Sequence, residues 1–160
     1  MESPPGQGAI FFVYLPASSS PVEAQDDRDE LVISGQGRIL VLDDEAPIRR
    51  LAGDLLERLG YDPEFVEDGA EAIARYANAL GSNDAFDAVI MDLTIPGGMG
   101  GREATRRLLE TDPAAKVIVS SGYSDDPVMA DFREYGFSGV VVKPYDIREL
   151  SRVLDRVTKR

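Results

Sequence analysis

From Arg38 onward, short runs of β-branched and aliphatic residues alternate five times with amphipathic stretches, and this alternation constrains the fold more than any other feature of the chain. Strand-like runs read Ile39 to Leu42, Pro63 to Val66, Ala88 to Met91, Val117 to Val119 and Val140 to Val142. They are nearly all apolar, as strands covered on both faces of a parallel sheet must be. Between them the apolar residues respace to the helical period. Ile48, Leu51, Ala52, Leu55 and Leu59 line the first helix, and Ala72, Ile73, Tyr76, Ala77 and Leu80 the second. Ala104, Leu108 and Leu109 mark the third, and Ile147, Leu150, Leu154 and Val157 the fifth. Asp44 stands where it would cap the first helix, with Pro47 in its first turn and Gly60 at its end; Asp126-Pro127 opens the fourth. Five βα units in succession predict an α/β fold around a five-stranded parallel sheet.

The 160 residues leave room for one such domain and an appendage. Three zones are expected. Residues 1–17 hold a Gly-Pro-rich start and a strand-like run from Ile10 to Leu15 that stops at Pro16. Residues 18–37 turn to Ser, Asp, Glu and Gly and read as a flexible linker, with a short helical turn conceivable over Asp29 to Ile33. Residues 38–160 form the folded domain. Neither a secretory leader nor an apolar run of about 18 residues is visible, so a cytoplasmic protein without direct membrane contact is expected.

Composition narrows the chemistry. The chain has no Cys and no His, which excludes a thiolate nucleophile, a disulfide, a Cys/His zinc site, a Ser-His-Asp triad and a phosphorylated histidine on this chain. A net charge of -12 opposes nucleic acid as a partner, because nucleic acid is bound through basic residues, and suits divalent cations. Carboxylate, hydroxyl and lysine chemistry remain.

In an open α/β sheet, ligands bind outside the carboxyl ends of the strands. There this chain carries Asp43-Asp44-Glu45 after the first strand, Asp92 after the third, Ser120-Ser121 after the fourth and Lys143-Pro144 after the fifth. Singly, each has an ordinary explanation as a cap, a turn or a solvated lysine. Together they do not, since converging carboxylates repel unless a metal ion or another cation neutralises them. Mg²⁺ fits this donor set, because it favours one or two carboxylates plus phosphate oxygens. With Asp43, Asp44 and Asp92 around such an ion, one carboxylate becomes a workable nucleophile toward a phosphoryl group, and Ser121 and Lys143 are placed to bind its other oxygens.

From Arg38 to about Val157 the chain resembles the receiver domain of two-component signalling, the CheY-like family with a flavodoxin-type (βα)5 fold and strand order 2-1-3-4-5. The resemblance is carried by Ile-Leu-Val-Leu-Asp43-Asp44-Glu45, Val-Ile-Met-Asp92-Leu-Thr-Ile-Pro96, Val-Ile-Val-Ser-Ser121-Gly122 and Val-Val-Val-Lys143-Pro144. It implies a phosphoacceptor role for Asp92, served by a histidine kinase or phosphotransfer domain. Asp43, Asp44, Asp92 and the Thr94 backbone carbonyl would hold Mg²⁺, Ser121 and Lys143 would contact the phosphoryl group, and the bond before Pro144 would be cis. Thr94 and Tyr123 would flank the approach of water and set the lifetime of the acyl phosphate. The surface of the fourth helix, fifth strand and fifth helix would change affinity on phosphorylation, making the chain a switch and not a turnover enzyme.

Three features depart from the usual family pattern. Ser121 replaces the commoner threonine, Val140 stands where an aromatic switch residue is usual, and Pro96-Gly97-Gly98-Met99-Gly100-Gly101 is one residue longer than usual and expected to be mobile. A second resemblance covers Gly6-Gln7-Gly8-Ala9 to Ala17, which is similar to the last glycine box and strand of a histidine-kinase ATP-binding domain. It implies the carboxyl-terminal piece of a hybrid sensor histidine kinase. No DNA-binding module follows Arg160, so output is expected through relay, feedback on the parent kinase or a phosphate sink. Competing readings are a degenerate receiver used only for protein contacts, a haloacid dehalogenase-like phosphatase, which wants an acid where this chain has Thr94, and a flavin binder, whose phosphate the acidic pocket would repel.

Overall fold

The computed structural model describes residues 12–14, 32–122 and 126–159. Two units are distinguished, residues 1–30 and residues 31–160. In the first, Phe12 to Tyr14 lie in no strand, a correction to the run expected over Ile10 to Leu15, whose other residues fall outside those described. A strand needs a ladder partner to satisfy its backbone, and apolar alternation alone supplies none. Of the turn considered over Asp29 to Ile33, only Val32 and Ile33 are described, and they are not helical.

The second unit is built from β1 (Gly37–Leu42), α1 (Ala46–Arg58), β2 (Tyr61–Val66), α2 (Gly69–Ala79), β3 (Ala88–Asp92), α3 (Gly101–Thr111), β4 (Val117–Ser121), α4 (Pro127–Ala130), β5 (Gly139–Val142) and α5 (Ile147–Thr158). The sheet is wholly parallel in the order β2-β1-β3-β4-β5. Strands β1, β3 and β4 are buried almost end to end, whereas β2, at the sheet edge, is buried only at Tyr61 and Val66, and an edge strand tolerates Pro63.

Two apolar layers sandwich the sheet. One holds Leu40, Leu42, Val89, Met91, Val117 and Val119 against α2, α3 and the α4 region. The other holds Ile39, Val41, Ile90 and Ile118 against Ala52, Leu56, Leu150 and Leu154 of α1 and α5. Because side chains alternate along a strand, Asp43, Asp92, Ser120 and Lys143 continue the face of Val41, Ile90, Ile118 and Val141. The acidic groups and the lysine therefore emerge on the α1/α5 side of the sheet.

Two local expectations are corrected. Asp44 does not cap α1: Glu45 occupies the cap position without a side-chain bond, and Asp43 Oδ1 accepts the Glu45 N–H at 2.9 Å instead. The fourth helix does open at Asp126, whose carboxylate accepts the Val128 N–H, but it lasts one turn and is followed by a 3-10 segment from Phe132 to Tyr135. Gly136, at φ 86°, closes that segment in the left-handed region.

Candidate functional site

A cleft of about 640 Å³ opens at the carboxyl ends of β1, β3, β4 and β5, lined by Asp44, Asp92, Thr94, Ser121 and Lys143 among others. Each arrives from the end of a strand or the loop behind it. Asp43 is fully buried at the floor, Asp92 and Ser121 are nearly so, and Asp44 is exposed at the mouth. Freed from capping α1, Asp44 joins Asp43 and Asp92 in a cluster whose ligand atoms all lie within 4.8 Å of one another.

The Lys143 ammonium lies between two of these acids, with Nζ 2.6 Å from Asp43 Oδ2 and 2.6 Å from Asp92 Oδ2. The Asp92 contact is also a hydrogen bond, whereas Asp43 Oδ2 meets the ammonium as an ion pair and has no other partner among the described residues. A buried carboxylate is costly in a protein interior unless a cation pairs with it, and Lys143 is that cation here. Burial alone would push the Lys143 ammonium down, but the two carboxylates outweigh it and hold its pKa above the ordinary lysine value. Burial pushes Asp92 up, and its bonds to Lys143 and to the Thr94 N–H, at 3.3 Å, offset this only in part. A divalent cation would remove the repulsion and keep Asp92 ionised.

The peptide bond between Lys143 and Pro144 is cis. Thr94 is exposed at the cleft rim, Val140 is half-buried against the α2/α3 layer, and Tyr123 falls outside the described residues.

The glycine-rich loop is anchored at one point. Met99 N–H donates to Asp68 Oδ2 at 2.9 Å, and the Gly69 N–H donates to the Met99 carbonyl at 3.0 Å, stapling the loop to the start of α2. Asp68 also caps α2 through the Ala70 N–H, and the Met99 and Ala70 donors hold its carboxyl below the usual range. The glycines serve close approach: a Cβ on Gly101 would strike the Asp92 carbonyl oxygen.

Two participants escaped the sequence reading. Asp68 carries the Asp-Gly signal of a helix start but nothing that names Met99 as its second partner. Tyr145 is buried two residues beyond Lys143, its hydroxyl 2.9 Å from Ser120 Oγ. Burial pushes its phenol up to about 12, so it stays neutral.

The family model of the response regulator receiver domain matches residues 39–155. The chemotaxis protein CheY of Thermotoga maritima is 29% identical over 123 residues, covering 76% of this chain and 98% of that protein. The sensor kinase CckA of Brucella abortus is 27% identical over 168 residues, covering 99% of this chain but 17% of the kinase. Among solved structures, the response regulator protein TrrA of Thermotoga maritima, in complex with Mg²⁺ and BeF, is 29% identical with a TM-score of 0.65, covering 76% of this chain and 98% of that one.

Proposed function

Because the chain belongs to the response regulator receiver family of two-component signalling, we propose that Asp92 is its phosphoacceptor and that Mg²⁺ is required for the transfer. The observation that carries this reading is the floor of the cleft. Asp43 and Asp92 are both held against the Lys143 ammonium, and with Asp44 they bring carboxylate oxygens within 4.8 Å of one another. Asp43, Asp44, Asp92 and the Thr94 carbonyl would hold the ion. When bound, it supplies positive charge against the phosphoryl oxygens and against the carboxylates themselves.

In the transfer, an Asp92 carboxylate oxygen forms the bond to phosphorus as the bond from phosphorus to a donor histidine nitrogen breaks; that nitrogen leaves with the electron pair and takes a proton. Lys143, already charged and paired with Asp92 Oδ2, is placed to follow the negative charge onto the phosphoryl group. The Ser121 hydroxyl, at the end of β4, offers a further hydrogen bond. Thr94, and Tyr123 by its sequence position, would govern the access of water to the acyl phosphate.

The donor would be a histidine kinase or phosphotransfer domain. The similarity to CckA across 99% of this chain supports an origin within a hybrid sensor kinase, with residues 1–17 as the end of an ATP-binding domain and 18–37 as linker. No helix among the described residues is long and apolar enough to cross a membrane.

Intact mass spectrometry after incubation with acetyl phosphate and Mg²⁺ tests the reading. The expected result is a gain of about 80 Da that vanishes in Asp92→Asn and without the metal. An adduct that survives Asp92→Asn would overturn the assignment. The absence of both adduct and Mg²⁺ binding would favour a receiver used only for protein contacts.

A further inference from the structure

Nothing in the chemistry above employs Tyr145, yet it is buried in the same apolar layer as Ile90, Ile118, Val141 and Leu150, directly beneath the cleft. Its hydroxyl and that of Ser120 are 2.9 Å apart, and Ser120 is fully buried. Among the described residues each hydroxyl is the other's side-chain partner. Two hydroxyls enclosed by apolar walls are costly to leave unpaired, so the bond is a firm tether.

What it tethers matters. Ser120 is the register partner of Asp92, and register partners on a parallel sheet present side chains to the same face, so Ser120 stands beside the phosphoacceptor. The Ser120 carbonyl also accepts the Leu93 N–H at 3.1 Å. On the other strand, the Lys143 N–H donates to the Ser121 carbonyl at 2.9 Å. Lys143 is thus fixed by its own backbone on one side and by Tyr145 on the other, with its ammonium on Asp43 and Asp92.

We propose that Tyr145 is a positioning residue for Lys143: its bond to Ser120 keeps the ammonium on the two carboxylates and so sets how strongly that ammonium competes with a divalent cation for the same oxygens. This rests on reading Asp43, Asp44 and Asp92 as the Mg²⁺ site. The sign of the effect separates positioning from mere support. Loosening Lys143 frees carboxylate oxygens and tightens cation binding, whereas general loosening of the site disperses the ligands and weakens it.

Calorimetric titration of the full chain with Mg²⁺ tests this in wild type, Tyr145→Phe, Ser120→Ala, Lys143→Met and the double variant Tyr145→Phe/Lys143→Met. Tyr145→Phe keeps the ring, and Ser120→Ala breaks the same bond from the other end, so the result does not hang on one variant. The expected result is a Kd for Mg²⁺ lower by roughly threefold to tenfold in each of these two, the span that one net hydrogen bond supplies. Lys143→Met should bind more tightly still, and adding Tyr145→Phe to it should change nothing further. An unchanged or weaker affinity in Tyr145→Phe, or an equal gain when Lys143 is absent, overturns the proposal while leaving the metal site standing. A wild-type protein that takes up no Mg²⁺ overturns the site and the proposal together.

Discussion

Replacing Lys143 by methionine keeps the length and most of the volume of the side chain but removes the one positive charge placed 2.6 Å from both Asp43 and Asp92. Two carboxylates within 4.8 Å then face each other, one fully buried and the other 6% exposed. At an effective dielectric constant of about 20, two unit charges at that separation repel by about 3.5 kcal/mol. Removing one partner of a buried ion pair costs a comparable amount, about 3 to 5 kcal/mol. Without divalent ions at neutral pH, Lys143→Met should therefore lose about 3 kcal/mol of stability, a fall in Tm on the order of 10 °C. Urea unfolding followed by far-ultraviolet circular dichroism is the assay, since the chain has no tryptophan.

The pH dependence follows from the same repulsion. Burial already pushes Asp92 up and losing Lys143 removes what offsets it, so Asp92 holds its proton more tightly folded than unfolded, and the deficit is full at neutral pH and shrinks as pH falls through its raised range. Saturating Mg²⁺ should shrink it too, because the variant is expected to bind the ion more tightly than wild type, and each tenfold difference in Kd returns about 1.4 kcal/mol to the variant. A deficit below about 1 kcal/mol, or one indifferent to both acid and Mg²⁺, would refute the claim that these three charges depend on one another.

Further outcomes are expected from glycines near Asp92 and from Asp68. Gly101→Ala adds a Cβ against the Asp92 carbonyl oxygen and 3.0 Å from Met91 Cβ, and this overpacking should outweigh alanine's better helix propensity and cost about 1 to 3 kcal/mol. Gly122→Ala, whose added Cβ meets no atom of the described residues within 4 Å, should stay within about 0.5 kcal/mol by the same denaturation assay; equal effects at the two positions would show that close approach is not what Gly101 serves. Asp68→Ala removes a carboxylate whose pKa is lowered by the Met99 and Ala70 N–H groups, so wild type should be the more stable above the ordinary carboxylate range. That advantage should fade as pH falls through the lowered value of Asp68, and a gap of the same size at pH 7 and pH 2 would show that the charge is not involved.

The order of elements was legible because strands and helices impose different spacings on apolar residues, and each of the five runs carries its own period. The cleft was legible for a related reason: a parallel sheet gathers whatever follows its strands, so Asp43, Asp44, Asp92, Ser121 and Lys143 could be grouped from position alone. Caps and turns were read less well. Asp44 and Glu45 are both competent at a helix start, and the choice fell to Glu45 because the buried Asp43 took the local N–H and left Asp44 facing the cleft. In the glycine-rich loop, glycine serves flexibility and close approach alike, and nothing local names Asp68, 31 residues from Met99, as the partner that anchors it.

Composition, period and the chemical type of the strand ends were thus determined by the sequence, since each depends on neighbours within a few residues. That Lys143 pairs with both Asp43 and Asp92, which residue staples the loop, and that Tyr145 meets Ser120 beside Asp92 were decided by the tertiary structure. Those are pairings between groups far apart in the chain, and no local spacing encodes the partner that packing will bring.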